Sequence, residues 1–238
     1  MGLNFEPEDG PLVTSGHVKD ATREQHLSGG GASERSGRVL LFPDAALTET
    51  DDVALVAMLV EGDARAPRIV WQRFAPMVHR MLKRAFGPDY DIDDLAQEVF
   101  LVLFRRAHTL REPQALRAFV ISITAHTIRY ELRRKAATRW LHFGEPAIAK
   151  AAAADLDARE ALNRLYRILD RLGSNDRTAF VLRFMEGLEV SAVAQALGVS
   201  VATTKRRLAH AWRRVILYSQ RDTALVEYLV GLGPGGLT

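Results

Sequence analysis

Four aspartates, Asp89, Asp91, Asp93 and Asp94, crowd the start of PDYDIDDLAQEVF, residues 88–100. Carboxylates at that density can bind a cation, position a water or attract a basic partner. Asp89, Asp91 and Asp93 match the first three ligand positions of an EF-hand loop. Asp94 then stands where that loop needs Gly, and Phe100 where it needs a bidentate Glu, so calcium is disfavoured. A two-metal nuclease would need a second carboxylate–His cluster, and none accompanies the run. Two expectations remain. Asp91 caps a helix whose dipole Asp93 and Asp94 offset, and Asp94, Gln97 and Glu98, on adjacent turns beside Phe100 and Leu101, form an acidic docking surface.

A second group sits in EVSAVAQALGVSVATTKRRLAHAWRRV, residues 189–215. Val193, Ala194 and Leu197 make one apolar helix face, Gly198 permits a tight turn, Val199 plugs between helices, and Ser200 caps the second helix. Val201 and Leu208 are expected to face inward. This is the build of a helix-turn-helix, whose second helix enters the DNA major groove. The outward positions are Ser200, Ala202, Thr203, Lys205, Arg206 and Arg207, with Arg213 and Arg214 further along. Five bases and no acids lie between Val199 and Val215, which suits phosphate contact. A plain αα-hairpin with a basic solvated face explains the spacing but not the charge bias.

The third group is ALRAFVISITAHTIRYELRRKAATRW, residues 115–140. Leu116, Phe119, Val120 and Ile123 form a buried stripe. Arg117, Arg129, Arg133, Arg134, Lys135 and Arg139 form a basic surface interleaved with Phe119, Tyr130 and Trp140. Cations mixed with aromatics grip single-stranded nucleic acid by charge and stacking, although Phe119 and Trp140 fit a core as well as a base platform.

Apolar residues recur at helical spacing throughout, and no stretch alternates as a strand does, so the class is all-α. Thr48 or Thr50 is the expected cap of a first helix, ended by Gly62-Asp63. A second is expected from Ala64 to Phe74, a third from Pro76 to Gly87-Pro88, a fourth after the acidic run, and a fifth over Gln114–Arg139. After a linker, helices are expected from Leu156 to Leu172, from Asn175 to Glu186, and then as the helix-turn-helix. The expected organisation is a disordered extension over 1–47, with one short apolar patch, Val39–Phe42. A helical domain spans 48–140, a linker 141–156, a helix-turn-helix domain 157–218 and a C-terminal extension 219–238.

Composition narrows the class further. The 238 residues carry no cysteine, which removes disulfide frameworks, thiolate zinc sites and Cys nucleophiles. No apolar run approaches the roughly 20 residues of a membrane span, and no secretory leader is visible, so a cytoplasmic location without membrane insertion is expected. The net charge of +3 conceals segregation: residues 49–98 hold ten acids and six bases, residues 99–140 two acids and nine bases. Opposite signs on neighbouring segments point to separate partners, nucleic acid among them. No phosphate-binding GxxxxGK, GxSxG or HExxH occurs, and the seven His are dispersed. No catalytic residue, metal or cofactor is expected.

The order of DIDDLAQEVF, RAFVISITAHTIRYELRR and GLEVSAVAQALGVSVATTKRRL resembles bacterial RNA polymerase sigma factors of the extracytoplasmic-function group in the sigma-70 family. The resemblance covers about residues 50–218. It implies a helical domain that binds the polymerase clamp and melts the promoter −10 element, and a helix-turn-helix that binds the −35 element. Partners would be core RNA polymerase, through its clamp and flap, promoter DNA, and an anti-sigma protein. By carry-over Asp94, Gln97, Glu98 and Phe100 contact polymerase. Arg117, His126, Arg129, Tyr130, Arg133 and Arg134 face the −10 element, and Ser200, Thr203, Lys205, Arg206 and Arg207 the −35 element. His126 and Tyr130 depart from the Asn and Asp frequent in such factors, and Thr204 replaces a usual buried Val. The rival from another class is a stand-alone helix-turn-helix repressor or activator; a metal-dependent nuclease ranks below it.

Overall fold

The computed structural model describes residues 51–141 and 156–220, and every regular element among them is helical. The chain runs α1 (Asp52–Glu61), α2 (Ala66–Phe86), α3 (Asp93–Arg106), α4 (Leu116–Leu141), α5 (Leu156–Leu169), α6 (Ser174–Phe180), α7 (Val190–Leu197) and α8 (Val201–Ser219). Short 3-10 turns at Ala107–Thr109 and Pro113–Ala115 join α3 to α4. The N-terminal extension with its Val39–Phe42 patch, the caps expected at Thr48 and Thr50, the interior of the linker and the segment after Gln220 lie outside the described residues.

The expected break at Pro76 does not occur: α2 is one helix of 21 residues with Pro76 inside it. An interior proline costs roughly 3 kcal/mol. Phe74, Met77, Val78, Met81 and Leu82 are all buried around it, and each contributes roughly 1.5–3 kcal/mol, so packing outweighs the lost hydrogen bond. The helix expected over Asn175–Glu186 is also altered. It divides into α6 and a π-helical turn, Val181–Met185. A widened turn of this kind is rare and tends to mark a functional position.

Helices α2, α3 and α4 pack on one another, with α1 across α2, while α6, α7 and α8, with α5 against α8, form the second group. The two groups share one continuous apolar cluster, because α4 runs against both α6 and α7. On the second group's side, Phe180, Phe184 and Trp212 stack with ring centroids 4.8–6.3 Å apart, a geometry that adds to area burial.

Candidate nucleic-acid interface

The acidic run is built as a helix start and an open surface together. The Asp91 carboxylate accepts the Asp93 amide hydrogen at 3.1 Å, satisfying one of the amides a helix N-terminus leaves unpaired. Asp93 and Asp94 stand in the first turn of α3. Asp94, Gln97 and Glu98 are exposed, and Glu98 pairs with Arg105 at 3.5 Å, a solvated contact of little energy. Phe100 departs from its expected role. It is only 2% exposed and packs on Trp71, ring centroids 4.4 Å apart, and on Phe104. It therefore supports α3 from inside, and Leu101, 48% exposed, is the apolar side chain that α3 presents to solvent. The sequence pattern gave no sign of Trp71. Its ring is partly exposed beside Phe100 and meets His79 edge-on, and a single aromatic just off the α2 stripe leaves no periodic signal.

On α4, Leu116, Phe119, Val120 and Ile123 are buried as the period predicts. Arg117, Tyr130 and Arg133 are exposed, while His126 and Arg129 are half-buried. Burial, then the charges of Arg129, Arg133 and Arg106, hold the His126 ring below its ordinary pKa. Burial, then Arg133 and Arg207, lowers Arg129 likewise. Arg129 donates to the Leu197 carbonyl at 3.1 Å, across to the end of α7. Trp140 and Arg139 carry side chains outside the described residues.

Arg134 is committed to a buried acid. Glu131, 2% exposed, accepts from Arg134 Nε at 2.6 Å and Nη2 at 2.9 Å, and from the Tyr90 hydroxyl at 2.7 Å. Lys135 lies over the Tyr90 and Phe86 rings. Burial, with the Glu131 contact, pushes the Tyr90 hydroxyl up to about 12. For Glu131 burial raises the pKa, but the hydrogen bonds from Arg134 and Tyr90 and the charges of Arg134 and Lys135 outweigh it, so the net shift is downward. A depressed carboxylate stabilises the fold above its unfolded pKa, and that contribution is lost as pH falls through the lower folded value. Thermal melts from pH 6 downward should therefore show Glu131→Gln losing less stability than wild type below roughly pH 4.5, near the ordinary Glu value. Parallel curves would separate the acid sensitivity from this network.

The helix-turn-helix follows its local chemistry closely. Gly198 adopts φ +64°, a left-handed conformation favourable only without a Cβ. The Ser200 hydroxyl caps α8 by accepting the Thr203 amide hydrogen at 3.1 Å. Val193, Ala194 and Leu197 are buried, with Thr204, Leu208, Ala211 and Val215 on α8. Thr204 satisfies its hydroxyl on the Ser200 carbonyl at 3.1 Å, which is how a polar residue occupies this buried position. Val201 does not face inward. It is 45% exposed, at the first position of α8. Ser200, Ala202, Lys205 and Arg206 are exposed and Thr203 is partly so. Arg207 is half-buried, and its Nη1 is sealed from solvent with no acceptor. Arg213 is exposed, whereas Arg214 turns toward the Tyr218 hydroxyl at 3.0 Å.

Two family models match these two groups of helices: sigma-70 region 2 over residues 70–138 and sigma-70 region 4 over residues 162–215. The extracytoplasmic-function RNA polymerase sigma factor SigM of Mycobacterium tuberculosis is 30% identical over 168 residues, covering 70% of this chain and 84% of SigM. The chain belongs to the extracytoplasmic-function group of sigma-70 factors. The ferric citrate uptake sigma factor FecI of Escherichia coli is 29% identical over 143 residues, 58% of this chain and 81% of FecI. The fold matches that of CnrH, solved in complex with the cytosolic domain of CnrY, with a TM-score of 0.54 at 22% identity over 73% of this chain and 99% of that one. As a sigma factor the protein directs promoter-dependent initiation of transcription, with core RNA polymerase and promoter DNA as its partners. No described helix is long and apolar enough to cross a membrane.

Proposed function

We propose that the sigma factor docks on the polymerase clamp through the exposed turn of α3, reads the −10 element with α4, and reads the −35 element with the N-terminal half of α8. The separation of charge supports this division. Asp94, Gln97 and Glu98 open to solvent on one helix, while Arg117 and Arg133 on α4 and Lys205 and Arg206 on α8 open on others. An acidic surface repels a phosphate backbone and attracts a basic protein; the basic ones do the reverse. Region 4 then reaches the polymerase flap. The protein supplies recognition, and the chemistry remains with the polymerase in the cytoplasm. CnrH was solved with the cytosolic domain of CnrY, and an anti-sigma protein is proposed as a third partner here.

In vitro transcription with core polymerase, with and without this chain, tests the reading. Promoter-specific transcripts should require the chain. Tight promoter binding by the chain alone, with no effect on core polymerase, would favour the stand-alone repressor instead.

Within α8 the exposures separate base readers from phosphate contacts. Arg206 lies in the N-terminal half of the helix, and Arg213 almost two turns beyond it. Removing a bidentate Arg–guanine contact costs roughly 1–3 kcal/mol and relaxes preference at one base, whereas losing a phosphate contact weakens all sequences alike. Selection from a randomised −35 library should therefore show Arg206→Ala altering the preferred bases. Arg213→Ala should lower binding uniformly and flatten its salt dependence. A base-preference shift from Arg213→Ala with none from Arg206→Ala would reverse the placement of α8 in the groove.

A further inference from the structure

The first turn of α8 carries no charge: Val201, Ala202 and Thr203 precede Lys205, Arg206 and Arg207. The Ser200 hydroxyl accepts the Thr203 amide hydrogen at 3.1 Å and donates to Thr203 Oγ1 at 3.0 Å. A hydroxyl has one proton to give, so that of Ser200 is spent within the cap. Arg206 Nη2 lies 3.5 Å from the same Thr203 oxygen. What this turn turns outward is mainly apolar: the Val201 side chain, 45% exposed, and the exposed Ala202 methyl. Its neighbours differ, since Val199 packs on the core and Thr204 is buried. A β-branched residue is a mediocre helix former, and a first helical turn favours proline or an acid. Neither helix propensity nor burial favours a valine at this position.

Position gives it a partner. The N-terminal residues of a recognition helix are those that reach base edges in the major groove. Thr204, Leu208, Ala211 and Val215 define the buried face of α8. At about 100° per residue, Ala202 and Arg206 fall about 40° apart on the opposite side, and Val201 stands at the tip ahead of both. The base edges in the major groove are donors and acceptors with one apolar exception, the thymine C5 methyl. A valine at such an edge has no hydrogen bond to offer and one group to pack on.

We propose that Val201, flanked by the Ala202 methyl, is a specificity-determining residue that selects a thymine in the −35 element by packing on its C5 methyl. It does so only with α8 placed at that element, as proposed above. The work within α8 is then divided: Val201 selects a methyl, and Arg206 supplies hydrogen bonds one turn further on.

Deoxyuridine pairs as thymidine does and differs from it only in lacking that methyl. A −35 element selected by the holoenzyme can therefore be rebuilt with each thymine of either strand replaced in turn, and holoenzyme affinity measured on every duplex. One replacement should weaken wild-type binding about fourfold, the equivalent of about 0.8 kcal/mol for one buried carbon. Val201→Ala should bind the thymine duplex less tightly by a similar factor and lose the distinction between thymine and deoxyuridine at that position. Val201→Ile should keep the distinction. A selected −35 element without thymine, wild-type binding indifferent to every replacement, or undiminished discrimination by Val201→Ala would each overturn the proposal. Equal weakening of Val201→Ala on all duplexes, with reduced co-elution with core polymerase, would also overturn it and give Val201 a protein contact. A wild-type holoenzyme indifferent to scrambling the whole −35 element would overturn the placement of α8 itself.

Discussion

Reversing charge at Asp94→Arg and Glu98→Arg together should abolish association with core polymerase and leave the fold in place. Both side chains are exposed on α3, so neither holds the core. Losing a first-turn acid from the helix dipole costs about 0.3–1 kcal/mol, and the Glu98–Arg105 pair is worth no more than that at the surface. Like charges brought together across an interface cost several kcal/mol, and each 1.4 kcal/mol is about tenfold in affinity. The interface penalty therefore exceeds the folding penalty several-fold. Co-purification with core polymerase and a thermal melt on the same preparation measure the two effects side by side. DNA binding through α8, a separate helix in the second group, should persist. Undiminished co-purification would leave Asp94 and Glu98 with the helix start alone.

Phe100→Ala should strongly destabilise the protein and should not act as a selective docking mutation. The ring is sealed between Trp71 and Phe104, and truncating a buried Phe removes about 3–5 kcal/mol. A domain has only about 5–15 kcal/mol to lose. Urea denaturation should show the midpoint collapsing. The neighbouring Leu101→Ala should stay within about 0.5 kcal/mol of wild type, as exposed positions do, and lose polymerase affinity instead. If Phe100→Ala melts like wild type but fails to bind polymerase, the burial argument for that residue is wrong.

Adjacent residues with opposite fates show where sequence reasoning reaches its end. Residues 100 and 101 are both apolar, and a helix turns about 100° between them. Which one points inward depends on where α2 and α4 lie. The local devices needed no such knowledge. Asp91 before α3, Gly198 in the turn and Ser200 at the cap act within three residues of themselves, so residue type and spacing are enough. Periodic stripes such as Leu116, Phe119, Val120 and Ile123 are legible for the same reason, since their spacing repeats the helix itself.

The exceptions were decided at longer range. Pro76 reads as a break because its cost is local, while the burial that outweighs it comes from other helices. Val201 fits the inward stripe by spacing, yet at the first position of α8 it is left exposed. Arg207 matches its exposed neighbours in type and is half-buried by the side chains that pack beside it. Glu131 has a local partner in Arg134, three residues on, but its burial and its Tyr90 contact, 41 residues away, like the Arg177 contact with Ala85 at 92, arise only by folding. The amino-acid sequence by itself determined the helical class, the local devices at Asp91, Gly198 and Ser200, the acidic and basic segments and the family. The tertiary structure alone decided which charges stay free for a partner and which are used to hold one half of the chain against the other, because burial and pairing are properties of neighbours distant along the chain.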